Sequence, residues 1–143
     1  MARSVQPPFA LEGIDHVLLL VGGTHAALRL YVEVLGCSIE RDLPEFAMVQ
    51  LRAGNSLIDL VDVNASAGQW ARPKITGGRN LDHLCIAVGN CDEQSVRSHL
   101  AAHGVEVIEE GIHKGARGAS LSLYFKDPSG NTIELKGPPT VPV

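Results

Sequence analysis

Cysteine is scarce in this chain, and the way it is used excludes a disulfide framework. The 143 residues contain three thiols, Cys37, Cys85 and Cys91. They form no Cys-x-x-Cys pair and leave one thiol over under any pairing scheme, so all three read as reduced, as expected of a cytoplasmic protein. Long hydrophobic runs are missing too: no stretch approaches the roughly 20 apolar residues that a membrane span needs. Met1 to Ala10 lacks the apolar core of a signal peptide, because Arg3 is followed by Pro7 and Pro8. A basic excess is also absent. The formal net charge is −4, and Arg72, Lys74 and Arg79 are too dispersed to neutralise a phosphate backbone. Neither a membrane nor a nucleic acid is an expected partner.

With 45% hydrophobic and 20% charged residues, the chain is long and apolar enough to bury a core as one domain without a metal to fold it. Its informative feature is a repeat. Asp15-His16-Val17-Leu18-Leu19-Leu20-Val21 recurs as Asp82-His83-Leu84-Cys85-Ile86-Ala87-Val88. Each copy is followed by a helix-like stretch ending in Leu-Gly or His-Gly. The ends of the copies match as well: Gly54-Asn55-Ser56-Leu57-Ile58-Asp59-Leu60 parallels Gly130-Asn131-Thr132-Ile133-Glu134-Leu135. Each half therefore opens with a histidine and closes with a carboxylate, which suggests one metal site shared by two half-domains.

The organisation follows from this repeat. Residues 1–12 read as a tail, 13–62 as a first βαβββ module, 63–80 as a connector, 81–136 as a second βαβββ module and 137–143 as a C-terminal tail. In the first module Thr24 is placed to cap a helix running to Leu35, with Leu28, Tyr31 and Leu35 on its apolar face and Gly36 ending it. Strands are predicted near Ser38 to Arg41, Ala47 to Leu51 and Ser56 to Asp62. The connector is rich in Ala, Ser, Gly and Pro, with Trp70 its one aromatic. In the second module the strand Asp82 to Val88 precedes a helix capped by Asp92 that ends at Gly104, and strands are predicted near Glu106 to Glu109, Ser120 to Phe125 and Thr132 to Lys136. Gly111 to Gly118 reads as a glycine-rich basic hairpin.

Strand parity separates the two faces. His16 alternates with Leu18 and Leu20, His83 with Cys85 and Ala87, Asp59 with Leu57 and Val61, and Glu134 with Thr132 and Lys136. The opposite faces, including Val17, Leu19 and Val21 and again Leu84, Ile86 and Val88, are apolar and suit packing under helices. His16, Asp59, His83 and Glu134 are thus the candidate metal ligands, each on a face free to line a concave surface. Asp62 is a rival to Asp59 but has the wrong parity. Lys114 and Arg117 are candidate substrate-binding or lid residues, with a solvated hairpin tip as the alternative, and Tyr124 is a candidate substrate-binding residue, with a half-buried strand residue as the alternative. His99 and His103, spaced i, i+4, lack a third ligand nearby and read as helix-surface residues.

The Asp-His strand openings, the group Tyr31, Val34, Leu35 and Gly36, and the run Tyr124-Phe125-x-Asp127-Pro128-x-Gly130-Asn131-x-Ile133-Glu134-Leu135 together resemble the vicinal oxygen chelate superfamily. That group contains glyoxalase I, extradiol dioxygenases, methylmalonyl-CoA epimerase and the fosfomycin and bleomycin resistance proteins. The resemblance implies an α+β fold in which two βαβββ modules form an open, U-shaped barrel around a divalent metal (Zn, Ni, Mn or Fe), assembled as a homodimer. His16, His83 and Glu134 match the family's ligands, and Asp59 stands where glyoxalase I has a glutamate.

The function this resemblance implies is a metal-dependent lyase or isomerase of the glyoxalase I type. It would act on a small oxygenated substrate through an enediolate, with Glu134 as acid/base, Asp59 sharing that role, and a thiol such as glutathione as cosubstrate. Two alternatives accompany it: an extradiol dioxygenase, in which Tyr124 and His113 would match a second-sphere tyrosine and histidine, and a non-enzymatic drug-binding resistance protein. Asp59 discriminates, because a fourth ligand disfavours the three-ligand dioxygenase site.

Overall fold

The computed structural model describes residues 12–72 and 81–140; the tail expected over residues 1–12 falls almost wholly outside them, as do Lys74 and Arg79. The first module runs β1 (His16–Val21), α1 (Thr24–Leu28) continuing into a π-helical segment (Arg29–Val34), β2 (Ser38–Leu43), β3 (Met48–Ala53) and β4 (Ser56–Asp62). The second runs β5 (Leu84–Ala87), α2 (Glu93–Ala102), β6 (Glu109–Gly115), β7 (Gly118–Lys126) and β8 (Thr132–Lys136). Each module makes a four-stranded mixed sheet, ordered β1-β4-β3-β2 in one and β5-β8-β7-β6 in the other. The repeat seen in the sequence is therefore a repeat of topology: the opening strand lies parallel to the closing strand, and the two middle strands are antiparallel hairpin partners.

Local chemistry explains most boundaries. Asp92 caps α2 as expected, accepting hydrogen bonds from Ser95 N–H (2.9 Å) and Ser95 Oγ (2.7 Å). Gly36 ends the first helix in the left-handed region at φ 82°, with Cys37 N–H returning to the Tyr31 carbonyl at 2.9 Å. Three expectations need correction, the first being the strand expected from Asp82 to Val88, which spans only Leu84–Ala87 and leaves His83 just ahead of it. The residue capping α1 is Gly23, not Thr24, which is the first helical residue and makes no side-chain cap. The strand expected at Glu106 to Glu109 starts only at Glu109, and Gly111 to Gly115, read as hairpin, belong to it. Tertiary pairing overrides glycine's weak strand preference there, because β7 supplies a full antiparallel ladder from Glu109↔Tyr124 to Gly115↔Gly118.

Both modules contribute to a single core. Leu19, Val21, Leu30, Tyr31, Leu51, Ile58 and Leu60 cluster with Leu100, Leu123, Phe125, Ile133 and Leu135. These are the apolar strand faces and the inner sides of the two helices, so the modules meet through the faces opposite those bearing the histidines and carboxylates. Polar bolts cross the same junction. Tyr31 Oη donates to Asp127 Oδ2 (2.8 Å), Asn131 Nδ2 to the Leu20 carbonyl (3.2 Å), and Gly22 N–H to Ser129 Oγ (3.0 Å). His99 Nε2 meets the Val34 carbonyl at 2.7 Å, which gives that helix histidine a structural role. Among the described residues no helix is long and apolar enough to cross a membrane.

The Tyr31–Asp127 bond yields a stability prediction. Both residues are buried, so Tyr31→Phe strips one donor from a desolvated carboxylate and lowers the unfolding free energy by about 1–3 kcal/mol. Asp127→Ala, which leaves the buried Tyr31 hydroxyl and three part-buried donors on Ser129 and Asn131 without their acceptor, costs more. Urea unfolding of the three proteins checks this; a Tyr31→Phe chain as stable as the parent would show that the bond contributes nothing.

Candidate metal centre

Strand register sets the distance between each histidine and its carboxylate. In the first sheet Asp59 on β4 lies opposite Leu18, one side-chain repeat beyond His16 on β1. In the second, Glu134 on β8 lies opposite Cys85, one repeat beyond His83. The two constellations are topological copies. His83 Nε2 sits 3.0 Å from Glu134 Oε2, and His16 Nε2 4.0 Å from Asp59 Oδ2. The preceding aspartates hold the other ring nitrogens: His16 Nδ1 is 2.6 Å from Asp15 Oδ1, and His83 Nδ1 is 2.7 Å from Asp82 Oδ2. A carboxylate on Nδ1 that orients Nε2 toward a second carboxylate is the arrangement that prepares an imidazole to bind a metal.

The carboxylates are buried, at 3% relative exposure for Asp59 and 4% for Glu134, while both histidines reach solvent. Their neighbours on the third strand are also equivalent. Gln50 lies opposite Asp59 and donates Nε2 to Asp59 Oδ2 (3.3 Å), and Arg41 Nη1 in turn donates to Gln50 Oε1 (2.9 Å). Tyr124 lies opposite Glu134, and Tyr124 Oη meets His113 Nδ1 at 2.9 Å. The His83 and Tyr124 rings pack edge to face with centroids 5.5 Å apart.

These contacts set the electrostatics. Burial opposes ionisation of Glu134, yet hydrogen bonds from Ser122, Tyr124 and Cys85 and the nearby His83 outweigh it and hold the carboxyl below its usual range. Burial, reinforced by the Glu134 charge, pushes the Tyr124 phenol up to about 12 and the Cys85 thiol up to about 11. The hydrogen bond to Asp15, with the Asp59 charge behind it, raises His16 above 6.5.

The donor set fits a divalent cation. Each half offers one imidazole nitrogen and one buried carboxylate, and Asp59 Oδ1 is a buried oxygen with no hydrogen-bond partner, a costly state that a cation would relieve. Within one chain the four candidate ligands do not converge, however: among the described residues no three His, Cys, Asp or Glu side chains form a group able to hold a metal. The modules pack through their apolar faces, which turns the two polar faces away from the shared core.

The hairpin and connector candidates make contacts of their own. Lys114 is exposed and alternates with His113, so it lies on the face of β6 opposite Tyr124 and Glu134. Arg117 Nη2 donates to the carbonyls of Lys136 (3.2 Å) and Gly137 (3.1 Å) and, at 3.4 Å, of Val88, so its guanidinium ties down the hairpin tip. Asp62 accepts from Asn64 N–H in a turn. Trp70, 54% exposed, packs edge-on against Phe46 and donates Nε1 to the Phe46 carbonyl at 3.1 Å. Gln50, Ser122 and Lys136 belong to the polar faces but carried no signal in the sequence beyond their strand parity.

A family model, the Glyoxalase/Bleomycin resistance protein/Dioxygenase superfamily, matches residues 13–135. A virulence protein of Salmonella typhimurium is 28% identical over 127 residues, spanning 87% of this chain and 83% of that protein. The fold superimposes on an integron cassette protein from the mobile metagenome of V. cholerae with a TM-score of 0.72 and 26% identity, covering 90% of this chain and 97% of that one. It also superimposes on a lactoylglutathione lyase from Agrobacterium tumefaciens with a TM-score of 0.65 and 23% identity, covering 92% and 96%.

The raised pKa of His16 gives a pH prediction for metal-free protein. The protonated ring is favoured in the folded state, so its contribution is fully present below the unfolded pKa of about 6.5 and is lost as pH rises through the higher folded value. NMR titration should place His16 above 6.5, and Asp15→Asn should bring it down. A His16 that titrates at the same pH in both proteins would rule out the Asp15 contact.

Proposed function

Because this chain belongs to the glyoxalase/bleomycin resistance protein/dioxygenase superfamily, we propose that it is a divalent-metal-dependent enzyme of the glyoxalase I type, working on a small oxygenated substrate. The observation that carries this reading is the duplicated triplet of aspartate, histidine and buried carboxylate, Asp15-His16 with Asp59 and Asp82-His83 with Glu134. His16, Asp59, His83 and Glu134 would hold the cation. Since one chain presents the two halves on separate faces, the complete site takes His16 and Asp59 from one protomer and His83 and Glu134 from a second, in a C2 homodimer with two such sites.

A divalent cation bound there supplies electrophilic stabilisation of charge developing on two neighbouring substrate oxygens. The chain's own residues do the rest. Glu134, held below the usual carboxyl range by Ser122, Tyr124 and Cys85, takes the proton from the carbon bearing the hydroxyl and delivers it to the adjacent carbonyl carbon, while the hydroxyl proton passes to the former carbonyl oxygen. Asp59 supplies the second carboxylate. Asp15 and Asp82 fix the two imidazoles so that Nε2 faces the reacting side. The hemithioacetal of a 2-oxoaldehyde with a thiol such as glutathione has the required acidic carbon and paired oxygens. The partnerless Asp59 Oδ1 favours this four-ligand reading over a dioxygenase, while the His113–Tyr124 pair is the feature a dioxygenase would use.

Metal analysis should return about one divalent ion per chain, with His83→Ala or Glu134→Ala greatly reducing it. Light scattering should return a dimer mass. Mixing the separately inactive His16→Ala and Glu134→Ala chains should then restore activity and about one ion per mixed dimer, because one of its two sites draws only on intact residues. Absence of recovery with exchange of subunits verified would overturn the shared site. Asp59→Ala should cost both metal and rate, whereas Asp59→Glu should keep them. Full metal retention by Asp59→Ala, with oxygen uptake on catechols by Fe(II)-loaded protein, would decide for the dioxygenase.

A further inference from the structure

The polar face of the second sheet holds a cation that the proton-transfer chemistry does not use. Lys136 follows Glu134 by one side-chain repeat on β8 and is buried, at 6% relative exposure. Its Nζ donates to the His113 carbonyl and, at 3.4 Å, to both the Ser120 carbonyl and Ser122 Oγ. All three acceptors are neutral, and the two at 3.4 Å are at the weak end of hydrogen bonding. A buried ammonium satisfied only in this way is expensive to keep.

The fold does not require it. The equivalent position of the first module, two residues beyond Asp59, is Val61, and Val61 and Met48 are paired there as Lys136 and Ser122 are in the second. Valine fills that place with no exposure at all. The neighbouring strand is also shaped to admit the lysine. A Cβ added at Gly115 would meet Lys136 Cε at 2.6 Å and Cδ at 3.0 Å, so the missing side chain leaves the channel along which the lysine stem runs. A Cβ at Gly111 would meet His113 Nε2 at 2.8 Å, so glycines on both sides of His113 open this end of the face.

We infer that Lys136 is a specificity-determining residue that selects substrates bearing an anionic group, a carboxylate in the simplest case, about one strand repeat from the oxygens that face His83 and Glu134. This rests on the metal-binding reading. Glu134 shares Ser122 with Lys136, and once a divalent cation takes up the charges of Glu134 and Asp59, Lys136 leaves one positive charge that a monoanionic substrate balances. Lys136 Nζ and Glu134 meet at the same Ser122 hydroxyl, so a substrate whose acid group is separated from its paired oxygens by a short chain of two or three methylenes is a suitable probe.

Two hydroxamates serve as probes, since each offers two adjacent oxygens to the metal: succinate monohydroxamate and its neutral, isosteric amide. Calorimetry on the metal-loaded dimer should show the acid binding at least tenfold more tightly than the amide. In Lys136→Met the two should bind alike, with the amide affinity and the metal content unchanged. Gly115→Ala, which keeps the charge but displaces the lysine stem, should also narrow the ratio and covers the case in which Lys136→Met does not fold. Equal binding of acid and amide to the parent protein, or a preference that survives both substitutions, overturns the role of Lys136 while leaving the metal site intact. Failure of the parent to load metal and to bind either hydroxamate overturns the metal-binding reading, and this inference with it.

Discussion

The carboxylate of Asp127 holds the molecule together. It is buried, and its two oxygens accept from Ser129 N–H, Asn131 N–H, Asn131 Nδ2 and Tyr31 Oη. The first three fix the turn between β7 and β8, and so the register that puts Glu134 opposite Tyr124. The fourth bolts the first helix to the second module, where burial and the Asp127 charge push the Tyr31 phenol far above its ordinary value. Asn131, held by the same carboxylate, reaches the backbone of β1 at Leu20. One desolvated anion thus determines the shape of a turn, the register of the strand carrying Glu134, and the seating of one module on the other. Its cost is offset only because every lone pair finds a donor.

With the modules seated in this way, the duplication has an unexpected consequence. Each sheet has one apolar face and one polar face, and the shared core consumes both apolar faces. A histidine and a buried carboxylate are left on each outward face, which is why the four candidate ligands do not gather within a single chain. On the proposed reading, the packing that stabilises the protomer also leaves each protomer with half of two sites. An interface between copies is then part of the proposed chemistry and not an accessory to it.

The copies are also not identical, and the differences separate their roles. Gln50 supports Asp59 where Tyr124 supports Glu134, and Leu18 stands where the second module has Cys85. Around its histidine and carboxylate the outward face of the first module is lined largely by Leu57, Val61 and Met48, that of the second by Ser120, Ser122, His113 and Lys136. An apolar wall opposite a polar, cationic one would orient an amphipathic substrate. A symmetric pair of modules could not.

The sequence by itself determined the modules, the strand faces and the four histidine and carboxylate candidates, because these rest on side-chain alternation and on a repeat, both of which are local along the chain. It also marked Tyr31 and the run from Asp127 to Asn131 as belonging together, though not that they touch. What only the tertiary structure decided are contacts between distant residues. Register placed Gln50 on Asp59 and His113 on Tyr124, drew Gly111 to Gly115 into a strand, turned Lys114 to the opposite face and used up Arg117 on backbone carbonyls. Packing of the apolar faces decided that His16 and Asp59 stay apart from His83 and Glu134. Parity says which side of a strand a residue occupies, but the partner that side meets is settled by long-range burial, which no local pattern encodes.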